Sequence, residues 1–178
     1  RLTYYEHFDE LIRDNDERDR QIAEDVRKCI HDGRTPVILS KYIDHSLKLF
    51  GLLKDSADKV FLLTGHDSKK EHKEILEKMD HVSSDETMLL IATGKLIGEG
   101  FDFPRLDTLI MATPVSGRNV VEQYAGRLNR DYEGKKSVVI YDYVDSHISM
   151  FDKMYYKRLK AYKQIGYDIF NGEKRLKQ

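Results

Sequence analysis

Five short apolar runs punctuate an otherwise polar chain: Val37-Ile38-Leu39, Val60-Phe61-Leu62-Leu63, Met88-Leu89-Leu90-Ile91-Ala92, Leu109-Ile110-Met111 and Val138-Val139-Ile140-Tyr141. Continuous runs of this length, bounded by polar turns, read as strands buried on both faces. Between the first and second runs, Ile43, Leu47, Phe50 and Leu53 recur at three- and four-residue spacing, the period of a helix with one apolar face. A further helix is predicted between the second and third runs, opened by Ser68-Lys69-Lys70-Glu71, the pattern of a capping box. Strand, helix, strand, helix, strand at these lengths builds right-handed crossovers. The expected fold class is therefore α/β, a parallel sheet with helices on both faces.

The flanks carry helical periods of their own. Ile22, Val26 and Ile30 mark Asp16 to His31 as a peripheral helix, with the charged stretch Arg13 to Arg20 as its solvated start. Phe151, Met154, Tyr155, Leu159 and Tyr162 form an apolar stripe, read as the packing face of a C-terminal helix, and Glu173 to Gln178 reads as a charged, frayed tail. The expected organisation is an N-terminal helical extension over 1–34, a central domain over 35–146, and a C-terminal helix and tail over 147–178.

Composition narrows the function classes. At 178 residues the chain has room for one well-buried domain with extensions. Thirty Lys and Arg against 31 Asp and Glu leave a net charge of −1, so any contact with a polyanion must come from a local patch. The single cysteine, Cys29, excludes an internal disulfide framework and a Cys-pair metal site, and it fits a reducing cytoplasm. No apolar run approaches the roughly 18 residues of a membrane span. Because the chain starts at Arg1 rather than Met, a segment of a longer polypeptide is expected.

In open parallel sheets, ligands bind beyond the carboxyl ends of the strands. The residues following the predicted strands are Ser40-Lys41, Thr64-Gly65-His66, Thr93-Gly94-Lys95 and Thr113 to Arg118. Hydroxyls, glycines and cations at loop starts can approach a sugar-phosphate chain closely, although each loop alone has the composition of an ordinary turn. The longest loop, Thr93 to Pro104, holds three glycines and places Asp102 just before Phe103-Pro104. Its Gly-x-x-x-Gly-x-Gly spacing does not open a long helix after a first strand, which argues against a dinucleotide fingerprint. Gly-x-x-x-x-Gly-Lys-Ser/Thr is absent, so the chain carries no phosphate-wrapping loop. Finally, a helical reading of Gln123 to Arg130 puts Gln123, Arg127 and Arg130 within an arc of about 60°, opposite Val121, Tyr124, Ala125 and Leu128. Two guanidinium groups leaving one edge suit the neutralisation of charge on a transferred phosphate; a solvated charged face is the plainer alternative.

On these residues the chain resembles the second RecA-like domain of superfamily 2 DNA/RNA helicases, in the type III restriction enzyme-like and DEAD/DEAH-like group. The resemblance covers about residues 35 to 145. Val37-Ile38-Leu39-Ser40 is similar to motif IV, Ile91 to Pro104 to motif V, and Gln123 to Arg130 to motif VI, Gln-x-x-Gly-Arg-x-x-Arg. The resemblance implies a RecA-like P-loop NTPase-type fold in an ATP-dependent helicase or translocase, with ATP and Mg2+ held mainly by a missing N-terminal RecA-like domain. Arg127 and Arg130 are then arginine fingers. Gln123, Gly126, Gly100 and Asp102 border the nucleotide, and Asp102 pairs with motif VI. Thr93, Gly94, Lys95, Ser40, Lys41, Thr64 and Gly65 contact nucleic acid, with DNA favoured over RNA by analogy alone. Two departures stand out: the Thr93 to Gly100 segment is one residue longer than the common motif V, and Tyr124 stands where many relatives place Arg. A helicase-like binding module without turnover is the alternative; a small-molecule transferase of the same architecture leaves the motif VI spacing to coincidence.

Overall fold

The computed structural model describes residues 9–93, 102–135, 137–145, 148–172 and 174–176. All five apolar runs are strands: β1 (Pro36–Ser40), β2 (Lys59–Leu63), β3 (Met88–Thr93), β4 (Thr108–Met111) and β5 (Val139–Asp142). They pair in parallel in the order β2-β3-β1-β4-β5. The three central strands, β3, β1 and β4, are buried along their whole length, which is why they read as unbroken apolar runs.

Alternation within each strand sends side chains to two separate cores. Val37, Leu39, Leu90, Leu109 and Met111 face one side, where Met79 of α3 (Lys69–Asp80) and Tyr124 and Leu128 of α4 (Arg118–Leu128) complete the cluster. Ile38, Leu89, Ile91 and Ile110 face the other, against α1 (Asp16–His31) and α2 (Ile43–Leu53). Ser68 caps α3 as its spacing predicts: its Oγ accepts from the Glu71 amide at 3.2 Å, and the Ser68 amide donates to Glu71 Oε2 at 2.6 Å.

Three details depart from the sequence pattern. Helix α1 is a cover of the sheet rather than a peripheral helix, since Ile22, Val26 and Ile30 lie in the second core. Its start is solvated only in part: Asp14, Asp16, Glu17 and Arg20 are exposed, but Arg18 donates to the Ala112 carbonyl and pairs with Asp145 at 3.3 Å, and Asp19 is wholly buried against α2. Helix α2 buries His45, Ser46, Leu49 and Leu53 and leaves Leu47 51% exposed. Hydrogen bonds from His45 to Ser40 and Asp19 turn the helix about its axis relative to the apolar count. In the predicted frayed tail, Lys174–Arg175 (β7) pairs antiparallel with Phe170–Asn171 (β6).

Helix α5 (Ser149–Gln164) packs against α4 and reaches the carboxyl end of β5. Arg158 is buried in it, forking onto Asp142 at the end of β5 at 2.7 and 2.8 Å and donating to the Val115 carbonyl beyond β4 at 2.7 Å. Tyr162 donates to the same carboxylate at 2.7 Å. At its start, Phe151 packs in one cluster with Ile12 and Tyr42, just beyond β1.

Candidate functional site

Parallel pairing brings the four strand-end loops to one edge. There a cavity of about 570 Å³ is lined by Ser40, Lys41, Gly65, His66, Thr93, Thr113, Val115 and the ring of Tyr124, among others. Four of the predicted contact residues, Ser40, Lys41, Gly65 and Thr93, therefore share one wall. Gly65 stands close to Thr93: a Cβ added at Gly65 would lie 3.9 Å from the Thr93 hydroxyl oxygen. Lys41 is exposed, and its amide donates to Thr113 Oγ1 at 3.0 Å, which ties the first loop to the fourth. Gly94, Lys95 and Gly100 lie outside the described residues.

Two of the predicted contacts are committed internally. Ser40 is 1% exposed; its hydroxyl is 2.8 Å from His45 Nδ1 and accepts from the Tyr42 amide at 3.2 Å. Thr64 is buried as a turn former: its amide donates to Asp67 Oδ2 at 2.7 Å, and its carbonyl lies 2.9 Å from His72 Nε2. Short hydroxyls at strand ends serve such turns as readily as ligands, so composition alone could not separate the two uses.

Behind Ser40 the hydrogen bonds run inward. His45 Nε2 lies 2.7 Å from Asp19 Oδ1, and Lys48 Nζ lies 2.7 Å from Asp19 Oδ2. Burial by itself would raise the Asp19 pKa, but the hydrogen bonds to His45 and Lys48 outweigh it and hold the carboxyl below its ordinary range. The floor of the cavity is thereby locked to helices α1 and α2.

The motif VI residues run from the carboxyl-edge cavity, which Tyr124 lines, toward the opposite end of the sheet, where Arg127 and Arg130 lie. Helix α4 leaves the carboxyl end of β4 and returns toward the amino end of β5, so its last turn sits near the starts of the strands. Val121, Tyr124, Ala125 and Leu128 are buried as the helical reading requires, while Gln123 and Gly126 are exposed. Burial raises the pKa of the Tyr124 phenol. Arg127 is half-buried beside Val37, Leu106 and Leu109, at the amino ends of β1 and β4. The helix stops at Leu128 with Asn129 as its cap, so Arg130 leaves from the chain beyond the helix rather than from its face. Its Nε lies 3.6 Å from Asp102 Oδ1, with the two side chains 52% and 54% exposed. An open cleft of about 470 Å³ borders Arg130.

Lys135 holds this corner together, a role with no signal in residue spacing. Its ammonium donates to the carbonyls of Leu128, of Arg130 at 2.7 Å and of Pro104 at 2.9 Å. Gly134, at φ 82°, makes the left-handed turn that brings Lys135 back under the helix end. Three N–H donors on one nitrogen match three converging carbonyls, and they join the end of α4 to the segment after Asp102. Burial pulls the Lys135 pKa down, with Asp107 and Asp131 acting against it.

A five-stranded parallel sheet in this order, covered by helices on both faces, is the RecA-like fold seen in helicase domains. The helicase conserved C-terminal domain model matches residues 20–132, and the chain belongs to that family. It is 23% identical over 144 residues to the ATP-dependent DNA helicase uvsW of Enterobacteria phage T4, covering 81% of this chain and 28% of that protein. It is 40% identical over 78 residues to the putative helicase 161L of Invertebrate iridescent virus 6, covering 44% of this chain and 16% of that one. Among solved structures, T4 UvsW superposes with a TM-score of 0.74 at 17% identity, covering 92% of this chain and 35% of that one. S. cerevisiae Dbp5 bound to RNA and ADP BeF3 superposes at 0.59 and 16% identity, covering 83% and 37%. The chain thus spans under a third of the length of these two curated relatives.

Proposed function

We propose that this chain is the second RecA-like domain of an ATP-dependent nucleic-acid helicase or translocase, acting on ATP and Mg2+ held mainly by an N-terminal RecA-like domain. Arg127 and Arg130 are the cations that meet the γ-phosphate when the two domains close. Gln123, Gly126, Gly100 and Asp102 border the nucleotide. The observation that carries this reading is the Asp102–Arg130 pair, half-exposed beside an open cleft at the end of the sheet where α4 finishes. A guanidinium held loosely by an exposed carboxylate is oriented yet free to exchange partners with an incoming phosphate.

Nucleic acid lies at the other end, over the cavity at the carboxyl edge. Lys41 and the close approach at Gly65 supply backbone contacts, with Thr93, Gly94 and Lys95, while Ser40 and Thr64 shape the loops that present them. Closing and opening of the two domains would alternate the grip on the strand, and the Thr93 to Asp102 segment joins the two sites in sequence. DNA is favoured by the similarity to a DNA helicase, although a relative named as a putative ATP-dependent RNA helicase, from African swine fever virus, is 37% identical over 71 residues.

The test is ATP turnover by the full-length protein with duplex DNA, single-stranded DNA or RNA as stimulant. Arg127→Ala and Arg130→Ala should each lower stimulated turnover by about 10³- to 10⁵-fold, the range of an arginine finger, while ATP binding persists. Full turnover in both variants would overturn the assignment. Nucleic-acid binding without turnover in the wild type would identify a catalytically silent module instead.

A further inference from the structure

Helix α5 buries Phe151, Arg158, Ala161 and Tyr162. At 100° per residue the opposite face carries Lys153, Tyr156, Lys157, Lys160 and Lys163 within an arc of about 120°, and all five are exposed. Asp152 is the one carboxylate in the helix. Among the described residues, none of these four lysines pairs with an acidic side chain. Four unneutralised cations on one face are a marked local excess in a chain of net charge −1.

Tyr156 stands among them 60% exposed, yet it is braced. Its ring centroid lies 5.7 Å from that of Tyr155 at 47°, and the Tyr155 ring lies 5.9 Å from the Arg158 guanidinium, itself fixed by Asp142. The helix also borders the carboxyl-edge cavity, because Arg158 bonds the carbonyl of Val115, one of the cavity's lining residues.

We propose that this face of α5 is a second nucleic-acid surface, on which a single-stranded segment runs with its phosphates along the lysines and a base stacked on Tyr156. It lies on the outer side of the helix whose buried side, through Arg158, borders the carboxyl-edge cavity, and it rests on the nucleic-acid reading above. At 1.5 Å per residue, Lys153 to Lys163 spans about 15 Å, roughly four nucleotides of a stacked strand. Lysines supply charge without sequence readout, and an outward aromatic ring accepts any unpaired base. A duplex keeps its bases stacked away from such a ring, and an acidic peptide offers the ring no specific partner.

The experiment is fluorescence anisotropy of the 178-residue chain with a labelled mixed-sequence single strand of about 20 nucleotides, as DNA and as RNA, and with the matching duplex, from roughly 50 to 200 mM salt. The combined Lys153→Gln, Lys157→Gln, Lys160→Gln variant should lower the slope of log affinity against log salt by about 2, at roughly 0.7 per lost single-strand phosphate contact. The same three positions changed to Arg should keep the wild-type slope. Tyr156→Ala should weaken single-strand binding by about 5- to 100-fold with little change in slope. Circular dichroism confirms that each variant is folded. Wild-type affinity and slope in the triple Gln variant, with binding weakened by Lys41→Gln, would overturn the α5 surface and leave the cavity reading standing. Loss confined to the duplex would overturn the single-strand assignment, and a wild type that binds none of the three nucleic acids at low salt would overturn both readings.

Discussion

Asp19 shows how much one buried carboxylate organises. It receives His45 at 2.7 Å and Lys48 at 2.7 Å, and through His45 it orients the Ser40 hydroxyl under the carboxyl-edge cavity. Its folded pKa lies below the ordinary aspartate value, so its contribution is fully present above about pH 4 and is lost as pH falls through the folded value. Asp19→Asn should therefore lower stability at pH 7 by about 3 kcal/mol, as when one partner of a buried pair is removed. Below pH 4 the variant should lose less further stability than the wild type. Urea titrations across pH 3 to 7 would check both; parallel pH profiles would show that Asp19 does not supply this dependence.

At the scale of the element, α4 combines an apolar face that docks on the sheet with a C-terminal end that carries Arg127 and leads into Arg130. Docking alone leaves the last carbonyls without partners. The Lys135 ammonium satisfies two carbonyls at the helix end and one beyond Asp102, so it ties the helix end to the segment after Asp102. Lys135→Met preserves the length of the side chain and removes the donors. It should cost roughly 1–2 kcal/mol, the lower part of the range for orphaned acceptors, because water reaches part of this corner. Thermal melts measure that loss, and faster amide exchange confined to the last turn of α4 and to residues 102–106 would mark its origin. Unchanged exchange there would show that Lys135 only solvates the surface.

For the whole molecule, the two candidate sites fall at opposite ends of the same strands, with the cavity over the carboxyl ends and the Arg130 corner near the amino ends. On the proposed reading such a domain would supply cations to a nucleotide held elsewhere, in keeping with a sequence that contains no Gly-x-x-x-x-Gly-Lys-Ser/Thr. Phosphate release by this chain alone, with ATP, Mg2+ and nucleic acid, should equal the protein-free background. Turnover above that background that disappears in Arg127→Ala would mean the chain assembles a nucleotide site by itself.

The strands, the Ser68 cap and the buried side of α4 were all legible in residue order, because each depends on neighbours within a few positions along the chain. Burial on both faces writes an apolar run, a cap needs Ser and Glu three residues apart, and helix packing repeats every three or four. The embedding of Arg18, Asp19 and Arg158, the turning of α2 about His45 and the convergence on Lys135 could not be read that way. Each is a polar group with at least one partner 26 or more residues away, and charge in a sequence looks the same whether it faces water or a distant partner. Tertiary packing decided which hydroxyls at the strand ends stay available and which are consumed, because a hydrogen bond made inside the fold is no longer open to a ligand.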